Sequence, residues 1–96
     1  MNATSKTINV THDIAQKTFE VVLEGHIAVL NYLLEGDTIT FTYTGVPAVM
    51  EGQGIGSWLV KAGMEYARAN NLKVVSRCSF VDTYLERNSE YRDLLK

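Results

Sequence analysis

From Phe19 to Glu24 apolar and polar side chains alternate, with Phe19, Val21 and Leu23 on one side and Val22 as an apolar intruder on the other. A period of two is the spacing of a strand with one buried face. Glu24-Gly25 then punctuates, and His26 to Leu34 is apolar on both sides apart from Asn31, as in a central strand covered on each face. After the turn Glu35-Gly36-Asp37, Thr38 to Thr44 alternates again, setting Ile39, Phe41 and Tyr43 against four threonines. These three strands form an antiparallel meander, and a further strand over about Lys6 to Thr11 is expected from Ile8 and Val10 sharing a face.

The second half changes period. Ile55, Leu59, Val60, Gly63, Met64, Tyr66 and Ala67 follow helical spacing, with Lys61 and Glu65 as an exposed pair four residues apart, and Asn70-Asn71 stops the helix. Leu72 to Val75 reads as a short buried strand. Ser79-Phe80-Val81-Asp82 matches a capping box, after which Val81, Tyr84 and Leu85 continue at helical spacing until Asn88-Ser89 interrupts before a last turn at Leu94-Leu95. The fold class is therefore α+β. A strand, a helix and a strand make a crossover unit whose two strands are parallel neighbours, so the strand ending at Thr44 delivers the chain to the helix start at the carboxyl edge of the sheet.

That edge is where helix N-terminal amides and the positive end of the helix dipole meet a ligand. The stretch Gly52-Gln53-Gly54-Ile55-Gly56 stands there. Glycines allow backbone N–H groups to close around an anion, usually phosphate, and they also serve a tight helix start that needs positive φ or close packing; both readings fit. The P-loop is excluded, because Ser57-Trp58 follows Gly56 where Lys and Ser or Thr are required. The dinucleotide fingerprint also fails, since its third glycine falls on Leu59.

Composition changes this picture little. Ninety-six residues, 46% hydrophobic, suit one globular domain over residues 1–96 without disulfides or a structural metal. Cys78 is the lone cysteine, and the two histidines, His12 and His26, form no spaced ligand set. A net charge of −2 without clustered Lys and Arg argues against nucleic-acid binding. No apolar run approaches the roughly 20 residues of a membrane span, and the polar start is unlike a signal peptide, so a cytoplasmic protein is expected.

The segment Val46-Pro47-Ala48-Val49-Met50-Glu51-Gly52-Gln53-Gly54-Ile55-Gly56-Ser57-Trp58-Leu59-Val60 resembles the pyrophosphate-binding motif of GCN5-related N-acetyltransferases, (Q/R)xxGx(G/A). Meander, motif, helix, strand and a final helix with a tyrosine resemble a compact form of that fold, closest to its small members with Cys-Ser after the last strand, here Cys78-Ser79. The resemblance implies an acetyl-coenzyme A-dependent N-acetyltransferase acting on an amine, with Val46, Met50, Glu51, Gly52, Gln53, Gly54, Ile55, Gly56 and Ser57 binding the cofactor where the strands ending at Thr44 and Ser76 splay apart. It also implies Tyr84, within Thr83-Tyr84-Leu85-Glu86-Arg87, as the general acid, and it strengthens Cys78 as a candidate nucleophile. Read from the residues alone, Tyr84 also fits a core position with a surfaced hydroxyl, and Cys78 a small buried hydrophobe. Two departures stand out: Glu51 replaces Gln or Arg, and Pro47 precedes the usual proline position, Ala48. An acyl-CoA-binding module without turnover is the alternative. His12 and His26 are weaker candidates for a base, and Trp58, Tyr66 and Met64 read as core or rim.

Overall fold

The structure is a computed structural model that describes residues 8–96. Five strands form one sheet in sequence order: β1 (Thr11–Asp13), β2 (Thr18–Leu23), β3 (His26–Glu35), β4 (Thr38–Gly45) and β5 (Lys73–Ser76). The first four pair antiparallel, and β5 lies parallel to β4. Between them run α1 (Ile55–Ala69), which makes the crossover, and a 3₁₀ turn at Ala48–Met50; α2 (Ser79–Arg87) and a 3₁₀ segment (Ser89–Leu94) close the chain. The antiparallel meander, helix, parallel strand and C-terminal helix expected from periodicity are all present.

One buried cluster lies between sheet and helices. Phe19 and Val21, Ala28, Leu30 and Tyr32, and Ile39 and Phe41 project from one face of β2, β3 and β4 onto Ile55, Leu59, Val60, Met64 and Ala67 of α1. Gly63 lets helix and sheet approach closely, because a Cβ there would meet the Phe41 ring at 2.8 Å. Asn70 and Asn71 end α1 as expected, with Asn71 at φ 56° and the Leu72 N–H donating to Ala67 O.

Four expectations need correction. The N-terminal strand is Thr11–Asp13 rather than Lys6 to Thr11; Lys6 lies outside the described residues, while Ile8 leaves the sheet edge and is buried in the core. The capping box is not made: Cys78 occupies the N-cap, and no side chain caps the first turn of α2. Lys61 and Glu65 form no ion pair, because the Lys61 ammonium lies 5.6 Å from the Trp58 ring centroid while Glu65 accepts a 2.6 Å hydrogen bond from the Tyr91 hydroxyl. Finally, β3 is central but covered on one face only. Ile27 and Leu33 remain exposed on the other, together with Val22 and Tyr43 from the neighbouring strands.

Candidate active site at the β4–α1 junction

The site begins where β4 and β5 part. Their ladder runs from Thr38 opposite Lys73 to Phe41 opposite Ser76, and its last bond is Arg77 N–H to Phe41 O at 2.9 Å. β4 continues to Gly45 with no partner on that side among the described residues. A bulge falls at the same place: Tyr32 pairs with Phe41, but Asn31 pairs with Tyr43, leaving Thr42 as the extra residue. An extra residue bends a strand and frees part of its ladder. The chain turning away after β5 brings Cys78 back toward β4, where its thiol and the Thr44 hydroxyl lie 3.4 Å apart.

Past Gly45 the chain turns through Ala48–Met50 and reaches the glycine loop. Gly52 and Gly54 have φ of 85° and 74°, and a Cβ built on either meets nothing within 4 Å. Their glycine character thus serves backbone conformation and the open space before the loop, not packing. Gly56 differs: a Cβ there would strike the Phe80 ring at 2.6 Å, so this glycine seats the start of α2 against α1. Gly54 is the N-cap of α1 and no side chain caps that end, so the N–H groups of the first turn point outward unpaired by any side chain.

These elements enclose a cavity of about 500 Å³ lined by Thr44, Val46, Met50, Glu51, Gly52, Gly54, Ile55, Gly56, Ser57 and Phe80. Every motif residue assigned to the cofactor lines it except Gln53, which faces a separate hollow with Leu23, Glu24, His26 and Val49. Thr44 and Phe80 were not among the assigned residues. Nothing in sequence signals Phe80, since its place follows from the missing Cβ of Gly56, whereas Thr44 is legible as the last polar residue of its strand. The free amides and open glycine positions of this cavity fit an anionic ligand. A depression of similar volume, about 520 Å³, lies across β5 between Val75, Leu85 and Leu95; it includes no residue of the glycine loop.

The candidate reactive side chains fall in different places. Cys78 is half-buried beside Thr44. Burial by itself pushes its thiol up, but the Thr44 hydroxyl and the backbone N–H groups of Val81, Phe80 and Thr44 outweigh this and hold it below the ordinary thiol value. A cysteine at a helix N-cap sits in the positive field of that helix, which favours thiolate. Tyr84 lines a neighbouring depression of about 360 Å³ with Gly54, Ser57, Trp58, Lys61 and Asn88, which shares Gly54 and Ser57 with the glycine-loop cavity but not Thr44 or Phe80. Its ring stacks on Tyr91 with centroids 6.3 Å apart. Burial, then the Glu90 carboxylate, push its phenol above the ordinary value, against the neighbouring Tyr91 hydroxyl, which lowers it, so the hydroxyl is protonated at neutral pH.

His12 stands on β1, at the sheet edge opposite β5, stacked on Phe19 at 4.0 Å and hydrogen-bonded through Nε2 to the Tyr32 hydroxyl at 2.7 Å. His26 is exposed at the start of β3. Glu51 is exposed on the cavity wall and forms no ion pair among the described residues. Those residues hold no group of three potential metal ligands and no helix long and apolar enough to cross a membrane.

A mixed sheet opened between its two parallel strands, with a glycine loop at the mouth, defines the N-acetyltransferase class whose motif the sequence resembles. Over residues 18–94 the sequence matches the GCN5-related N-acetyl-transferase family, and the chain belongs to it. Among its relatives, Protein NATD1 of Xenopus tropicalis is 34% identical over 87 residues, covering 88% of this chain and 80% of that protein. Protein NATD1 of Homo sapiens is 33% identical over 84 residues, covering 84% and 74%. The NMR solution structure of a GCN5-like protein from Staphylococcus aureus superimposes with a TM-score of 0.73 at 30% identity, covering 93% of this chain and 88% of that one.

Proposed function

We propose that this protein transfers an acetyl group from acetyl-coenzyme A to an amine. The observation that carries the reading is the continuity of one cavity, from uncapped amides at Gly54 to Ser57 down to Thr44, beside the gap where β4 and β5 part. Bound there, acetyl-coenzyme A supplies an activated thioester. The loop amides from Gly54 to Ser57 hold its pyrophosphate, and the strand edge of β4 beyond Phe41 offers unpaired backbone donors and acceptors to its amide-bearing arm. Transfer forms a C–N bond, breaks the C–S bond, removes a proton from the amine and returns one to the departing thiolate.

Two side chains have roles in this reading. The Tyr84 hydroxyl, protonated at neutral pH and in the depression adjoining the loop, supplies the proton to the thiolate. A second route is favoured by a separate observation, the Cys78 thiol held below its ordinary value next to Thr44. Along that route the thiolate takes the acetyl group first and passes it to the amine. Binding of acyl-coenzyme A without turnover is the rival, and it uses the same loop.

Calorimetric titration with acetyl-coenzyme A, followed by mass spectrometry of a set of amines and peptides, separates these. Saturable binding with acetylated product is expected. Turnover falling by roughly 10²–10⁴ in Tyr84→Phe, with binding kept, assigns the acid. An acetyl adduct trapped on Cys78, together with loss of turnover in Cys78→Ala, selects the two-step route. Binding with no product from any amine would leave the rival standing.

A further inference from the structure

One stripe of α1 runs from the glycine loop toward the C-terminal 3₁₀ segment. Trp58, Lys61, Glu65 and Arg68 recur at three- and four-residue spacing, which puts them on one side of the helix. Trp58 and Lys61 wall the depression that Tyr84 lines. Farther along, Glu65 accepts a hydrogen bond of 2.6 Å from the Tyr91 hydroxyl, and the Arg68 guanidinium lies 5.7 Å from the centroid of the Tyr91 ring. Arg68 is itself fixed. Its two terminal nitrogens each donate to a separate oxygen of Asp93 at 3.1 Å, and one of them also donates to Glu90 O at 2.8 Å.

Tyr91 is buried, at 2% exposure, and its ring stacks on that of Tyr84 with planes 26° from parallel. The backbone is tied at the same place. Asn88 closes α2 with its side-chain amide donating to Tyr84 O at 2.8 Å, while its own carbonyl accepts the Tyr91 N–H at 3.4 Å. A buried phenol needs a partner for its hydroxyl, and a bond to a carboxylate holds it more firmly than one to a neutral acceptor. Glu65 thus fixes where the Tyr91 ring lies, and that ring limits where the Tyr84 ring can lie. Glu65 stands on the same helix whose first turn carries the unpaired amides, so one rigid element holds both the glycine-loop cavity and the anchor of the phenol beside it.

We propose that Tyr91, anchored by Glu65, is the positioning residue for the Tyr84 hydroxyl in acetyl transfer. The proposal rests on the reading of Tyr84 as the acid and adds what holds that acid in place.

The test compares Glu65→Ala, Glu65→Gln, Tyr91→Phe and the double variant Glu65→Ala/Tyr91→Phe with wild type and with Tyr84→Phe. Turnover is read as release of coenzyme A from acetyl-coenzyme A with n-butylamine as acceptor, and affinity by calorimetry. Losing the Glu65–Tyr91 bond lowers kcat about tenfold by misplacing the acid, while the dissociation constant of acetyl-coenzyme A is unchanged. Glu65→Gln keeps an acceptor for the Tyr91 hydroxyl and restores most of the rate. The double variant is no slower than either single one, because both changes break the same contact. A lower urea midpoint at wild-type kcat would make Tyr91 a packing residue and overturn the proposal. Glu65→Gln as slow as Glu65→Ala, or losses that multiply in the double variant, would overturn it too. If circular dichroism shows Tyr91→Phe unfolded, Glu65→Ala against Glu65→Gln, at an exposed position, decides alone. No release by wild type, or equal release in Tyr84→Phe, removes the acid reading and the positioning role with it. Slow release in Tyr84→Phe beside wild-type kcat in Glu65→Ala removes the positioning role alone.

Discussion

At the scale of single residues, Cys78 and Glu51 carry the sharpest consequences. The thiol of Cys78 lies between burial, which disfavours its charged form, and donors from Thr44 and the first turn of α2, which favour it. Replacing Thr44 by Val removes one of those donors and keeps the shape. Iodoacetamide alkylation followed against pH is expected to show a midpoint below the roughly 8.5 of a free thiol, moving upward in Thr44→Val. Identical profiles would mean that the hydroxyl does not tune the thiol. Glu51 places a carboxylate on the wall of a cavity suited to a pyrophosphate. At a separation near 6 Å and an effective dielectric of about 20 to 80, the repulsion is roughly 0.7–3 kcal/mol per charge pair. Glu51→Gln is therefore expected to tighten acetyl-coenzyme A binding about threefold or more in calorimetry, with the gain shrinking as salt is added.

At the scale of elements, Gly54 and Gly56 at the start of α1 act for different reasons, and one substitution type separates them. In Gly54→Ala the added methyl meets no neighbour, so the cost is the left-handed backbone, about 1–2 kcal/mol in denaturant stability, together with a methyl projecting into the ligand space. In Gly56→Ala the methyl collides with Phe80, whose displacement opens the junction of α1 and α2. Trimming the ring relieves that collision. Gly56→Ala combined with Phe80→Ala is expected to be more stable than the sum of the single changes, a coupling that a double-mutant cycle reads directly. Additive effects would show that the contact between ring and glycine contributes nothing. The expected capping box illustrates the converse. Ser79-Phe80-Val81-Asp82 has the right letters, yet the strand exit holds Ser76 Oγ to Cys78 O and places Cys78, not Ser79, at the N-cap.

At the scale of the whole molecule, β1 is a three-residue edge strand attached to the core through His12, which lies against Phe19, Tyr66 and Tyr32. Burial lowers the pKa of His12, partly offset by the Asp13 carboxylate. Below about pH 6.5 the unfolded chain takes up this proton more readily than the folded one, so stability falls as pH drops through that value and is fully present above it. The urea midpoint is expected to decline between pH 7.5 and 5.5 more in wild type than in His12→Gln. Equal declines would assign the acid sensitivity to other groups.

Periodicity by itself determined the meander, the fifteen-residue crossover helix, the fifth strand and the short helical end, because strand and helix spacings are local properties of a half-buried segment. The motif likewise located the glycine loop, since only backbone freedom at Gly52 and Gly54 was required to be legible. Tertiary structure decided what depends on segments distant in sequence. Thr44 and Cys78, thirty-four residues apart, meet because the β4–β5 ladder ends at Phe41. Phe80 closes the cavity because Gly56 leaves room for its ring, and Gln53 turns out of the cavity although its neighbours line it. The apolar run of β3 reads identically whether one face is covered or two; only the placement of every described helix against the same side of the sheet leaves Ile27 and Leu33 exposed, a property of the assembled layers and not of any one strand.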